Sequence, residues 1–262
     1  MHGPRLGAFQ ALKRNVGVPV ELVTEGNLRN FTVDWSPLHP AFEHLTAVHR
    51  SDYLWAYLGY HHGGGFHDVK AAFVSWAPYF DQLEEKKDKW LLGTPQSGRK
   101  DVACQESSAI DDPACLALRR RRNETDMRFM SVHRESPTAC HGGLYDRFDA
   151  TRGACCERVR NNWLKTCNVR QFILRPMTPL AADWLRLAHE HLDYKAERLR
   201  AHPAPATPRC CFNHNNGYPN NWAELKGEML EPLQVKYATH LVRTLPRGDN
   251  ANYRDATEDT AR

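Results

Sequence analysis

The stretch from Arg50 to Lys70, reading RSDYLWAYLGYHHGGGFHDVK, leaves a chain few ways to fold. Its first half spaces Leu54 and Leu58 four apart, as an amphipathic helix does, and Gly63, Gly64 and Gly65 then end it. Glycine at a helix exit permits a left-handed backbone and a close main-chain approach. Phe66 and Val69 favour a strand and bracket one acid, Asp68. That carboxylate is expected at a strand end, a common place for ligands in an open α/β sheet. Upstream, the apolar run of residues 18–23 reads as a parallel strand, with an exit loop at 24–27. A helix entered at Pro37 to Pro40 then carries Phe42, Leu45 and Val48 on the face continued by Leu54 and Leu58. Strand, loop, helix, glycine turn and strand in this order make one crossover unit of a mainly parallel sheet.

The remainder extends this α/β reading to one domain over residues 1–246. Between about 97 and 160 no hydrophobic period persists, and the segment reads as an irregular insertion, most open to proteolysis near 103–126. Order resumes with a strand at Phe172 to Pro176. A helix follows, capped by Thr178 with Pro179 in its first turn, and stops near His202 before Pro203. Another helix is expected from Trp222 to Leu230, and residues 247–262 form a polar tail expected to be disordered. With 262 residues the chain can bury a sizeable core. A formal charge of +4 does not demand nucleic acid. Arg119 to Arg122 lacks interleaved aromatics, so it reads as a solvated charge run and no nucleic-acid partner is expected. No apolar run approaches the ~20 residues of a membrane span. The eight cysteines match no paired zinc framework, Cys210, Cys211 and His214 included, and leave disulfides and reduced thiols equally open.

The segment around Asp52 and Asp68 resembles the signature of the capsular-polysaccharide-synthesis and mannosyltransferase-like glycosyltransferases: Ser-Asp, a helix, Gly-Gly, an aromatic, then Asp-x-Asp. Two further islands share the resemblance. Asn168 precedes Phe172-Ile-Leu-Arg-Pro with Thr178-Pro179, and Gly217-Tyr-Pro leads to Trp222, Glu224 and Gly227-Glu228. The resemblance implies a single-domain Rossmann-like nucleotide-diphospho-sugar transferase fold of the GT-A type. The family's usual first strand is not evident in the seventeen residues ahead of Val18. It further implies transfer of a sugar from a nucleotide-diphosphate donor to a carbohydrate or glycoconjugate hydroxyl. Asp52, Gly64, Gly65, Asp68, Lys70 and Asn168 would hold the donor, and Glu224 or Glu228 would serve the acceptor.

The sequence departs from that pattern where Trp55 replaces an Arg and Lys70 replaces the second acid. Asp68 is thus left as the one carboxylate of the motif for Mn²⁺ or Mg²⁺, cations that want several oxygen ligands. Lys70 is expected to meet the diphosphate charge directly. His61, His62 and His67 crowd one turn, but neighbouring helical side chains diverge, so they read as separate surface donors. The alternative function is a non-catalytic nucleotide- or carbohydrate-binding relative. An anchor ahead of the chain would imply a Golgi or secretory lumen, and its absence the cytoplasm.

Overall fold

The computed structural model describes residues 4–69, 72–98, 161–201, 203 and 224–246. Over these residues the chain is a mixed α/β fold with five α-helices and a four-stranded sheet. Helix α1 is Pro4–Asn15, α2 Ala47–His61, α3 Ala77–Glu85, α4 Pro179–Ala201 and α5 Gly227–Lys236. The strands are β1 Gly64–His67, β2 Leu91–Pro95, β3 Cys167–Leu174 and β4 Leu241–Val242, in the spatial order β1-β3-β2-β4.

The expectation of a mainly parallel sheet is corrected. β3 runs antiparallel to both β1 and β2, and only β2 with β4 is parallel. The run at 18–23 joins no strand among the described residues. Pro19 lacks a ladder donor, and the Leu22 carbonyl accepts from the Asn27 side-chain amide at 3.0 Å rather than from another strand. Val18 and Val20 still face inward, packed on the cluster that contains Leu12, Val16 and Trp76. A run of β-branched residues therefore marks burial here, without a ladder.

Alternation along β3 separates two cores. Phe172 and Leu174 face α2, α4 and α5, where Tyr53, Trp55, Tyr57, Trp184, Leu192, Leu230 and Leu233 gather. Ile173 points to the other face, with Leu92, Val242 and residues of α1 and α3. Period-two side-chain direction makes this division unavoidable once β3 lies between two layers. The sheet is thus covered by helices on both faces.

The helix entered at Pro40 is interrupted. Pro40–His44 is a 3₁₀ turn, and α2 starts afresh after Thr46, whose hydroxyl caps the His49 amide at 3.3 Å. The exit from α2 follows the glycine argument. Gly63 has φ +64°, and a Cβ there would come within 2.8 Å of both the Leu174 carbonyl oxygen and the Pro176 nitrogen. The strand predicted from Phe66 onward begins earlier, at Gly64, and ends at His67, so Asp68 immediately follows β1. Thr178 caps α4 as expected, accepting from the Ala181 amide at 3.3 Å. The last helix begins at Gly227 instead of Trp222, itself outside the described residues, and runs through Pro232 to Lys236. The insertion expected at 97–160 lies outside the described residues from 99 onward, as does the tail at 247–262.

Candidate functional site

α2 carries Asp52 and Trp55 three residues apart, hence on one face, and that face is turned inward. β1 delivers Asp68 at its end, against the same region. The third participant is Lys226, at the N-terminal boundary of α5. Its position is fixed by its neighbours. Leu225 is fully buried and its carbonyl accepts the Trp184 indole N–H at 3.0 Å, while Leu230 and Leu233 anchor α5 in the core. The Lys226 ammonium therefore reaches back to α2 and β1. It lies 3.7 Å from Asp52 Oδ1, 3.6 Å from Asp68 Oδ1 and 3.5 Å from the centroid of the Trp55 ring.

These contacts are ion pairs and a cation–π contact, longer than hydrogen bonds. The Lys226 side chain is 12% exposed and that of Asp52 10%, whereas Asp68 is 34% exposed. The cluster thus opens to solvent on the Asp68 side. Burial pushes the Asp52 carboxyl up to about 6. The Lys226 charge pulls it down and the Asp68 charge pushes it up, and burial outweighs the attraction.

Sequence reasoning placed Asp52 and Asp68 in one site, and the structure brings both to one ammonium. It singled out Lys70 as the cation, and Lys70 lies outside the described residues. Lys226 was missed, because its only signal was a lysine set between a buried leucine and a glycine in the third island of resemblance. The glycines have local duties. Gly64 has φ +99°, and a Cβ on Gly65 would stand 3.0 Å from the Trp76 ring. Asn168 lies beyond the end of the β1 pairing, which stops at His67 opposite Gln171. Its side-chain oxygen accepts from the Arg170 amide at 2.9 Å.

Glu224 and Glu228, four apart within the helix expected from Trp222 to Leu230 and so expected on one of its faces, do not share a helix, since Glu224 precedes α5. Its carboxylate is buried against α4, 2.7 Å from Lys195 Nζ and 3.3 Å from His191 Nε2. Glu228 lies in the first turn of α5, also buried. The three histidines go separate ways: His61 meets the Ser36 hydroxyl at 3.1 Å, His62 the Phe31 carbonyl at 2.8 Å, and His67 the Asp68 carbonyl. Cys167 is a buried free thiol pushed up to about 12 by burial. The other seven cysteines lie outside the described residues.

Among the described residues no group of three or more His, Cys, Asp or Glu side chains is placed to hold a metal ion, and at Asp52 and Asp68 an ammonium stands against both carboxylates. No helix among the described residues is long and apolar enough to cross a membrane. No family model matches the chain, and neither a curated protein nor a solved structure matches it.

Proposed function

We propose that the chain is a glycosyltransferase that moves a sugar from a nucleotide-diphosphate donor to a carbohydrate or glycoconjugate hydroxyl, on a Rossmann-like frame of the GT-A type. The observation that carries this reading is the convergence of Asp52 and Asp68, from a helix and a strand end, on one partly open cluster. A sheet covered on both faces, with an acid just past a strand, supplies the rigid frame on which a sugar can be oriented. Carboxylate oxygens accept hydrogen bonds from sugar hydroxyls, and Asp68 is the exposed member suited to that contact. In the reaction the acceptor oxygen bonds to the anomeric carbon as the bond to the diphosphate breaks. The electron pair leaves with the nucleotide diphosphate, and the acceptor proton passes to a base. Glu224, set against Lys195 and His191, and Glu228, buried in the first turn of α5, are the two candidates for that base.

The test is nucleotide-diphosphate release from a panel of UDP- and GDP-sugars, with and without a saccharide acceptor. Asp68→Asn should lower turnover at least 100-fold while leaving thermal stability nearly unchanged, since a carboxylate about one-third exposed past a strand end contributes little to the core. Undiminished turnover in that variant would remove Asp68 from the site. A second reading, a non-catalytic nucleotide- or carbohydrate-binding relative, draws support from the pairing of Lys226 with both acids. It predicts stabilisation by a nucleotide sugar with no release of diphosphate.

A further inference from the structure

We propose that His189 and Tyr53 form an acid-released latch that holds the His39 end of residues 33–39 against α2 and α4. Neither sugar transfer nor the acids of the candidate site enter into it.

Residues 33–39 run as a strap across two tyrosines of α2. The near end is fastened by Tyr57, whose hydroxyl oxygen accepts the Val33 amide at 2.9 Å and whose proton goes to the Ser36 carbonyl at 2.5 Å. A bond of 2.9 Å from the Ser36 amide to the Val33 carbonyl closes this end into a turn. Ser36 Oγ also lies 3.1 Å from His61 Nε2, and a hydroxyl can donate to a neutral imidazole or accept from a charged one. The near end therefore tolerates acid.

The far end is built differently. The His39 amide donates to the Tyr53 hydroxyl oxygen at 3.0 Å, and that hydroxyl lies 3.0 Å from His189 Nε2. A backbone N–H can only donate, so the phenol accepts from it and sends its own proton to His189. Burial pushes the Tyr53 phenol upward, so it keeps that proton. A charged imidazole carries protons on both nitrogens and cannot accept this bond. Protonation of His189 would leave the hydroxyl proton of a fully buried tyrosine without an acceptor. The His39 side chain makes the other tie to α4, with Nε2 3.0 Å from Asp193 Oδ1 while Nδ1 accepts the Ala41 amide at 3.1 Å.

Burial pushes the His189 imidazole below the usual 6.5, and His39, whose ring centre is 5.4 Å away, pushes the same way. Asp193, one turn on in α4, opposes them, and His61 of α2 adds to them. Half-buried, His189 still receives a proton from water. With the folded value depressed, the hold on the far end is complete above 6.5 and is lost as pH falls through that lower value. The strap is thus pinned at Tyr57 and acid-sensitive at Tyr53.

The test is amide hydrogen exchange in the full chain, followed by nuclear magnetic resonance at about pH 7.5 and about pH 5.5 and corrected for the intrinsic rate at each. In wild type, protection of the His39 amide should fall at least tenfold more than that of Val33 on going to the lower pH. The His189 imidazole should titrate below 6.5. His189→Gln, whose side-chain carbonyl accepts from Tyr53 at either pH, should protect His39 equally at both. Tyr53→Phe, which lacks the hydroxyl, should leave His39 weakly protected at both. His39 protection that acid leaves unchanged, or that falls in step with Val33, would overturn the proposal. So would a His189 midpoint at or above 6.5, or a His189→Gln or Tyr53→Phe chain that keeps the wild-type acid response. The wild-type and Tyr53→Phe measurements decide the matter even if His189→Gln does not fold.

Discussion

At the scale of single residues, the site and its surroundings place charge where water is scarce, and two consequences can be measured. The Asp52 carboxyl is raised from 3.8 to about 6 by burial, so the folded chain holds a proton that the unfolded chain gives up between those values. Its contribution to stability is fully present below about pH 4 and is lost as pH rises through about 6. Asp52→Asn abolishes this titration. Relative to wild type, the variant should gain about 2–3 kcal/mol between pH 4 and pH 7.5, measured by urea denaturation at both. An equal offset at the two pH values would show that Asp52 is not shifted. Glu224 presents the opposite situation, a buried carboxylate in contact with a buried ammonium. Glu224→Gln should destabilise by roughly 3–5 kcal/mol, and Glu224→Gln/Lys195→Met should recover much of that loss. A harmless Glu224→Gln that nevertheless ends the proposed sugar transfer would point to Glu224 as the base.

At the scale of elements, the turn from α2 into β1 decides whether Asp52 and Asp68 can meet. Gly63 is held in the left-handed region, and the close approach of Leu174 and Pro176 leaves no room for a side chain. Gly63→Ala should therefore cost about 1–3 kcal/mol in denaturant unfolding and weaken ligand binding as well, because it shifts β1 against β3. An alanine as stable as wild type would mean that the turn relaxes freely. This element was legible in the sequence: helical spacing, a glycine stop and strand formers each have a local cause. So was α4, whose cap at Thr178 and Pro179 depends on neighbouring residues alone. The start of α5 was not legible. Its residues from Gly227 to Gln234 are buried, even with Pro232 inside the helix, so packing overrides the local preferences on which boundaries are read.

At the scale of the whole molecule, β3 is the spine, paired on both edges and buried on both faces from Gln171 to Leu174, with β1 and β2 antiparallel beside it. Amide hydrogen exchange should accordingly be slowest in the Phe172–Leu174 stretch and much faster across residues 18–23, which are in no ladder. The reverse order would restore the strand that the apolar run suggested. The difference between that run and β3 shows where sequence stops informing. Alternation and β-branching report that a segment is buried and extended. Strand direction depends on which distant segment lies alongside, here one more than a hundred residues from β1. The sequence by itself determined the helix–glycine–strand unit and the α/β class, because helix stops and strand preference are properties of short stretches. Only the tertiary structure decided that β3 is antiparallel, that Glu224 is committed to Lys195, and that Lys226 completes the pair of acids. Each of these joins residues far apart in the chain, and the free energy that brings them together comes from burying Trp55, Phe172, Trp184 and Leu230 in one core.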